Sequence, residues 1–277
     1  MDQQRISEMT HLVVPLDGYG SSVRAVPVAG RLAHRLGMGV SLLSVVDGAD
    51  DIDKRSAWVD DIAVNLLPTT EAKTEVVVAS DPAQAVAAAA GSDGLLCMAT
   101  AASLRLHHAH FGSIAESVAR TIQRPLFVVG PRMTPTPGAP TQRIVVPIDG
   151  SKFSEEALGV GAELAAALSL TVWVVAVVTA KASASAKIGS SPSTGESNYV
   201  RNRARSLAED TGVDVAFEVL HGDPVEAIAN FVGDDGTAVM TTHGRSGLSR
   251  LFAGSVTTGV IARSHRAVLV LRPPGLE

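Results

Sequence analysis

The chain has 277 residues, of which 46% are hydrophobic, 4% aromatic and 18% charged, and its formal net charge is −5. This length is comfortable for two compact domains, and the apolar fraction is enough for two buried cores. The negative charge argues against a protein that binds nucleic-acid backbones, because that affinity comes from clustered cations.

The sequence also lacks the signals of export, membrane insertion and disulfide formation. Met1 is followed by polar residues rather than by an apolar signal segment. The longest uninterrupted apolar stretch, Val172 to Val178, is too short to span a bilayer. Cys97 is the only cysteine and stands in an apolar run, which indicates a buried strand residue rather than a redox centre. We therefore expect a cytoplasmic protein without a membrane or nucleic-acid partner.

An internal repeat organises the chain. The first copy opens with Val-Val-Pro-Leu-Asp-Gly at residues 13–18, which returns as Val-Val-Pro-Ile-Asp-Gly at residues 145–150, an offset of 149 − 17 = 132. The offset continues along a helix-like stripe. Its matching apolar positions are Ala25, Val28, Leu32 and Leu36 in the first copy and Ala157, Val160, Leu164 and Leu168 in the second. The spacing of these positions is that of one helix face.

The second half of the repeat has a larger offset. Asp81-Pro82 matches Asp223-Pro224, and Gly112-Ser113 matches Gly254-Ser255, both 142 residues apart (223 − 81). The second copy therefore carries about ten extra residues, which we place in the Ser/Ala-rich stretch from 180 to 197. We interpret this stretch as disordered, with a lid over the pocket as the alternative. Ordered matches of this kind predict a duplicated domain.

A proline-rich stretch separates the copies. Four prolines fall within residues 131–140, and so many cannot continue a helix or a central strand. We therefore predict an N-terminal domain over residues 1–132 and a C-terminal domain over residues 141–277.

Each copy alternates short apolar runs with helical patterns. The strands predicted in chain order are His11–Leu16, Val40–Val46, Thr74–Val78, Leu95–Ala99 and Leu126–Val129, then Ile144–Ile148, Val172–Val178, Val215–Leu220, Ala238–Thr242 and Val268–Leu271. Asp81 and Asp223 are predicted helix N-caps, each with proline at the first helical position. The alternation predicts an α/β fold of two tandem, doubly wound parallel sheets. In such sheets, ligands bind beyond the carboxyl ends of the strands, where the strand order reverses.

The segment from Met240 to Thr257 carries the clearest chemical signal. A strand ends, a loop with Gly244 and Gly247 follows, and Gly254-Ser255 opens an apolar helical segment. Glycines let backbone N–H groups approach a phosphate, and a helix start adds unpaired donors and a favourable dipole. On these residues alone, glycines as turn formers and a serine helix cap remain an alternative.

This segment resembles the universal stress protein family, specifically its ATP-binding branch. That branch carries Gly-x2-Gly-x9-Gly-(Ser/Thr) after its fourth strand. Here Gly244 is the second glycine, nine residues intervene, and Gly254-Ser255 closes the motif, whereas Thr241 replaces the first glycine. The Val-Pro-x-Asp sequence of both first strands and the strand–helix order extend the resemblance over nearly the whole chain.

The resemblance implies Rossmann-like domains of the adenine nucleotide alpha hydrolase type and ATP, with or without Mg²⁺, as the ligand. The residues that it assigns to the nucleotide are Pro147, Asp149, Val177, Met240, Thr241, Gly244, Gly247, Gly254, Ser255, Val256 and Thr257. The motif residues from Gly244 to Thr257 would hold the phosphates, with hydroxyl donors in the first helical turn. Asp149 would face the nucleoside, Pro147 would pack by the adenine, and Val177 would offer backbone hydrogen bonds. For Asp149 the alternative is a turn former.

The first copy departs from the motif. The positions that match Gly244, Gly247 and Thr257 are Ala102, Arg105 and Ala115. Where a loop needs a left-handed backbone, alanine costs about 1 kcal/mol relative to glycine. We therefore expect the N-terminal domain to keep the fold and Asp17 but to bind ATP weakly or not at all.

The sequence favours nucleotide binding with little or no turnover. It lacks the Gly-x4-Gly-Lys-(Ser/Thr) loop of P-loop enzymes, so that mechanism has no phosphate lysine. A regulatory protein that binds adenine nucleotide is the main hypothesis, and a slow ATP hydrolase and a nucleotide-free scaffold are the alternatives. The resemblance further implies an intramolecular pseudo-dimer through the last strands, 126–129 and 268–271, and leaves a homodimer open.

Overall fold

The computed structural model describes residues 5–18, 20–100, 117–118, 124–133, 141–179, 192–242 and 254–272. The chain divides into two compact units, Met1–Thr136 and Pro137–Glu277. The division falls inside the proline-rich stretch between the two copies of the repeat.

The first unit is built on a five-stranded parallel sheet. Its strands are β1 (His11–Leu16), β2 (Gly39–Val46), β3 (Ala72–Val78), β4 (Gly94–Ala99) and β5 (Leu126–Val129). They lie in the order β3-β2-β1-β4-β5, and each neighbouring pair is parallel. The helices described are α1 (Val26–Leu36), α2 (Ile52–Leu66) and α3 (Pro82–Ala90), with short 3₁₀ turns at Ile6–Glu8, Ser22–Ala25 and Ala49–Asp51.

The second unit repeats this architecture. Its strands are β6 (Arg143–Pro147), β7 (Thr171–Val178), β8 (Val215–His221), β9 (Gly236–Thr241) and β10 (Val268–Leu271). Their order is β8-β7-β6-β9-β10, again parallel throughout. The helices described are α4 (Lys152–Leu168), α5 (Pro192–Thr211), α6 (Pro224–Val232) and α7 (Ser255–Arg263).

The predicted α/β fold class with parallel sheets and the predicted alternation of strands and helices along the chain are confirmed. The central strands are apolar on both faces, because helices cover parallel sheets on both sides; every residue of β5, β9 and β10 is buried. The edge strands β3 and β8 are half-exposed. The helix stripe predicted from Ala157 to Leu168 is buried in α4.

The two predicted N-caps are confirmed in matching geometry. The Asp81 carboxylate accepts from the N–H groups of Ala83 at 3.0 Å and Gln84 at 3.1 Å. Asp223 does the same for the first turn of α6, at 3.0 and 3.1 Å. In both helices proline follows the aspartate, where its missing N–H leaves no donor unpaired.

The disorder predicted over residues 180–197 is wrong at its C-terminal end. Helix α5 already begins at Pro192, and residues 180–191 lie outside the described residues. Polar composition suggested disorder, but Val200, Ala204 and Leu207 form a buried stripe at helical spacing. Tertiary packing of that stripe, with proline at the first helical position, outweighs the weak local propensity.

Within the described part of the chain, no helix combines the length and apolarity that crossing a membrane requires.

Candidate functional site

The strand order of the second unit reverses between β6 and β9. The chain moves from β6 outward to β7 and β8, and then returns to β9 on the other side of β6. Strands β6 and β9 pair in parallel, with Val145 opposite Ala238. Their carboxyl ends therefore open into one crevice, with Asp149 beyond one strand and the start of α7 beyond the other.

Gly254 lies where the start of α7 contacts the end of β9. It is the N-cap of the helix, and its N–H donates to the carbonyl of Thr242. A Cβ built on Gly254 would lie 3.2 Å from that carbonyl oxygen, tighter than an ordinary contact. Its φ of −59° is open to any residue. Glycine is therefore favoured at this position by the close approach and not by a left-handed backbone.

The first turn of α7 keeps its donors available. Helices α4 and α6 have side-chain caps, from Ser151 and Asp223, whereas Gly254 has no side chain that could cap α7. The N–H groups of Ser255, Val256 and Thr257 have no hydrogen-bond partner among the described residues. Uncapped amides and the helix dipole together favour an anion at this point.

Thr257 does not present its hydroxyl to the crevice. The side chain is buried, and Oγ1 donates to the carbonyl of Thr241 at 2.8 Å. A hydroxyl has one hydrogen to donate, so the predicted role of Thr257 as a hydroxyl donor to phosphate is corrected. Thr257 instead fastens α7 to the end of β9. Ser255 is exposed, and its predicted role as a hydroxyl donor to phosphate stays a prediction.

Asp149 forms the turn that follows β6. Its Oδ1 accepts from the N–H of Ser151 at 3.0 Å and from the Ser151 hydroxyl at 2.6 Å. Its own N–H donates to Ser154 Oγ at 3.1 Å. Gly150, with φ +80°, makes this turn possible. The turn-former interpretation is therefore correct, and the same turn places the carboxylate at the mouth of the crevice.

The backbone of Val177 points toward the crevice. Val175 accepts from Ile148 N–H at 2.8 Å, so its backbone groups face the β6 side of β7. Alternate strand residues face the same neighbour, so the N–H and C=O of Val177 also point to that side. Strand β6 has already ended at Pro147. Pro147 and Val177 therefore border the same opening.

Two further predicted residues are buried at a strand end, and their role as the floor of the site stays a prediction, while two others cannot be placed. Met240 and Thr241 are buried at the end of β9. Gly244 and Gly247 lie outside the described residues. The site therefore consists, in the described part of the chain, of strand ends, the Asp149 turn and the start of α7.

Helix α5 adds a cluster that the sequence did not reveal. The Tyr199 hydroxyl donates to Glu155 Oε1 at 2.7 Å, and Arg203 forms an ion pair with the other oxygen of the same carboxylate. Burial and the hydrogen bond to Glu155 raise the pKa of Tyr199, and the nearby charge of Asp149 adds to the effect. The cluster therefore lies next to the Asp149 turn, and the positive charge of Arg203 offsets the negative charge of Glu155.

Glu156 leaves a buried carboxylate oxygen without compensation. Oε2 has no hydrogen-bond partner among the residues that the structure describes, and burial raises the pKa of the carboxyl. In the first copy the matching residue is Arg24 (156 − 132). Arg24 donates to the strand-end carbonyls of Thr100 at 2.6 Å and Gly130 at 3.3 Å. The two copies thus place opposite charges at one position of the fold.

Cys97 is confirmed as a buried strand residue. It lies on β4 with no exposed surface, and burial raises the pKa of its thiol to about 12. The thiolate needed for redox chemistry is therefore disfavoured at neutral pH.

Comparison with known proteins finds relatives in the universal stress protein family. The sequence model of the Universal stress protein family matches residues 140–272. Universal stress protein MJ0531 of Methanocaldococcus jannaschii is 31% identical over 144 residues, which cover 49% of this chain and 85% of that protein.

Solved structures match the chain over both units. A universal stress protein from Archaeoglobus fulgidus DSM 4304 aligns with 95% of this chain and 98% of its own, at 18% identity and a TM-score of 0.64. At this identity the likeness shows the fold. A universal stress protein from Archaeoglobus fulgidus, solved in complex with dAMP, matches 47% of this chain and 97% of its own at 21% identity and a TM-score of 0.36.

Proposed function

We propose that this chain, which belongs to the universal stress protein family, binds an adenine nucleotide, ATP in the first instance, in the crevice of its C-terminal unit. The proposal rests on one observation above the others: among the described residues, no side chain caps the first turn of α7 at the carboxyl end of β9, beside the strand-order reversal. The Gly254-Ser255 ending of the family's ATP motif falls at this turn.

The crevice offers one side to a triphosphate and the other to a nucleoside. The amides of Ser255 and Val256 would bind phosphate oxygens, aided by the helix dipole. Asp149 would accept from ribose hydroxyls, and the backbone of Val177 would pair with the edge of the adenine. Mg²⁺ would enter as a complex with the phosphates, which is the usual way proteins hold it beside nucleotides.

In this proposal the crevice holds ATP without hydrolysing it at the rate of an enzyme. Asp149 Oδ1 accepts two hydrogen bonds from Ser151, and Glu155 is paired with Tyr199 and Arg203. These engaged carboxylates are poor general bases for activating water. Phosphate release from ATP slower than about 1 per second, which is below the typical range of enzyme turnover, is the expected outcome of a steady-state assay. Faster release would favour the ATP hydrolase instead.

A titration that compares ATP with adenosine tests where the phosphates bind. Replacing Gly254 by valine brings a branched side chain against the Thr242 carbonyl and moves the first turn of α7. We expect Gly254→Val to weaken ATP binding by about tenfold or more, or about 1.4 kcal/mol. Adenosine, which lacks phosphates, should bind both proteins within about a factor of two of each other. Isothermal titration calorimetry measures both affinities.

Gly159→Ala is the matched control. Gly159 is an exposed glycine inside α4, and a Cβ there would meet no atom within 4 Å. The control should bind ATP as the wild type does. If Gly254→Val weakens ATP and adenosine equally, the phosphates do not lie on α7. If all three proteins bind ATP with the same affinity, the proposed site is wrong.

Three features stay predictions from the sequence: the cytoplasmic location, the pairing of the last strands within one chain and a further homodimer. The regulatory role follows the same proposal: a site that fills and empties with the concentration of nucleotide lets the protein respond to that concentration.

A further inference from the structure

The carboxyl edge of the first sheet is covered by a side chain of its own unit. Arg55 lies on α2, and its Nη1 donates to Ser44 Oγ at 3.2 Å. The Ser44 hydroxyl is buried on β2 and donates in turn to the carbonyl of Leu16 at 2.8 Å. Leu16 is the last residue of β1. Two hydrogen bonds therefore connect the guanidinium to the ends of neighbouring strands.

The guanidinium also lies directly against the backbone after β1. A Cβ built on Gly18 would lie 2.6 Å from Cζ and 2.7 Å from Nη2 of Arg55. The absence of a side chain at Gly18 therefore leaves the space that this group occupies. Trp58, one turn further along α2, offers its ring to the same group, with Cζ 5.4 Å from the ring centroid. A planar cation beside an aromatic ring is a favourable pairing.

The same position in the second unit differs in sequence. The offset of 132 matches Gly18 to Gly150 and Ser44 to Ala176. Alanine has no hydroxyl, so it provides no acceptor for a guanidinium at that point of β7. In the second unit, Asp149 and Val177 border the crevice there. The two copies therefore share the opening at the carboxyl edge of the sheet, but the residues that border it differ.

We propose that the carboxyl edge of the first sheet is a binding site for one planar guanidinium group, which Arg55 fills in cis. The site consists of the Ser44 hydroxyl as acceptor, the exposed backbone of Gly18 as a flat contact and the Trp58 ring. A guanidinium suits this site better than an ammonium because it is planar, weakly hydrated and able to stack. The inference concerns the first unit alone and does not depend on nucleotide binding by the second.

The site is tested by replacing Arg55 and then adding a small guanidinium compound to the variant. The probe is methylguanidinium at low millimolar concentration, where it does not denature proteins. Arg55 is half-exposed, so Arg55→Ala leaves the buried core intact. We expect Arg55→Ala to lower the thermal midpoint of the full chain by a few degrees, and methylguanidinium to restore at least half of the loss. Arg55→Lys keeps the charge but not the plane, so it should also lower the midpoint.

Lys54→Ala is the control. It removes an exposed cation from the neighbouring position of α2, and we expect its midpoint to equal that of the wild type. Methylguanidinium should shift neither protein. Equal midpoints for Arg55→Ala and Lys54→Ala would overturn the proposal. So would a loss of stability in Arg55→Ala that methylguanidinium does not restore selectively.

Discussion

Arg24 and Glu156 occupy matching positions in the two copies and differ in what they can offer the strand ends. Arg24 donates to carbonyls at the ends of β4 and β5. Glu156, once ionised, can only accept, and one of its oxygens is buried without a partner among the described residues. A buried acceptor without a donor is costly, and more so when it is charged.

The raised pKa of Glu156 predicts a stability that falls as the pH rises. Because the carboxyl has a higher pKa in the folded state, the added cost of burying its charge is absent below the ordinary glutamate pKa of about 4.3, where the group is protonated. The cost accumulates as the pH rises through that value toward the folded pKa. Glu156→Gln should therefore raise the thermal midpoint at pH 7 and have little effect near pH 4.

The exposed residue Glu209 provides the control for that experiment. Glu209→Gln removes the same charge from the surface of α5, and we expect it to leave the midpoint unchanged at both pH values. A gain in Glu156→Gln that is as large at pH 4 as at pH 7 would show that ionisation of the buried carboxyl is not its cause.

Helix α7 is fastened to β9 by a buried hydroxyl, and this fixes the orientation of its first turn. Thr257 donates to the Thr241 carbonyl across the two elements. Packing adds to this connection, because a Cβ on Gly259 would lie only 2.7 Å from the methyl groups of Val225 on α6. A helix held at both its first turn and its middle presents its amides in a fixed direction, which reduces the entropy lost on binding.

A variant with valine at position 257 tests the hydrogen bond that connects α7 to β9. Thr257→Val keeps the shape of the side chain but removes the hydroxyl that donates to the Thr241 carbonyl, and loss of this hydrogen bond should cost about 0.5–1.5 kcal/mol. Thr257→Ser retains the hydroxyl and should recover most of that loss. Urea unfolding at neutral pH measures the free energies. Equal stability of the valine variant and the wild type would mean that the hydrogen bond is not made in solution.

The elements that the sequence predicted are those with local causes. The Asp-Pro caps and the Asp149 turn depend on residues a few positions apart and are found as described, and the strand bounds agree with the prediction to within two residues. The contacts that escaped prediction join distant elements: Glu155 meets Arg203, 48 residues away. No local pattern identifies such partners, and the start of α5 was missed because a packed apolar stripe determines it.

The site was predictable in position but not in the assignment of each side chain. The repeat located the strand ends, and the resemblance located the helix start. Packing between helices and strands determines the remaining features, which are the hydrogen bond of the Thr257 hydroxyl within the protein, the cluster around Tyr199 and the burial of Glu156. These are consequences of the tertiary structure.

The whole chain contains one fold twice, with different groups at the two carboxyl edges. The first unit covers its edge with guanidinium groups from Arg24 and Arg55. The second leaves the amides of α7 without partners among the described residues and places Asp149 opposite them. Duplication with divergence of this kind predicts one nucleotide per chain rather than two.

The stoichiometry of ATP binding to the full chain tests this most directly. Isothermal titration calorimetry of the wild type should give a single site per chain, and that site should be the one weakened by Gly254→Val. Two equivalent sites per chain, or no measurable heat of binding at ATP concentrations up to several millimolar, would contradict the assignment of the nucleotide to the C-terminal crevice.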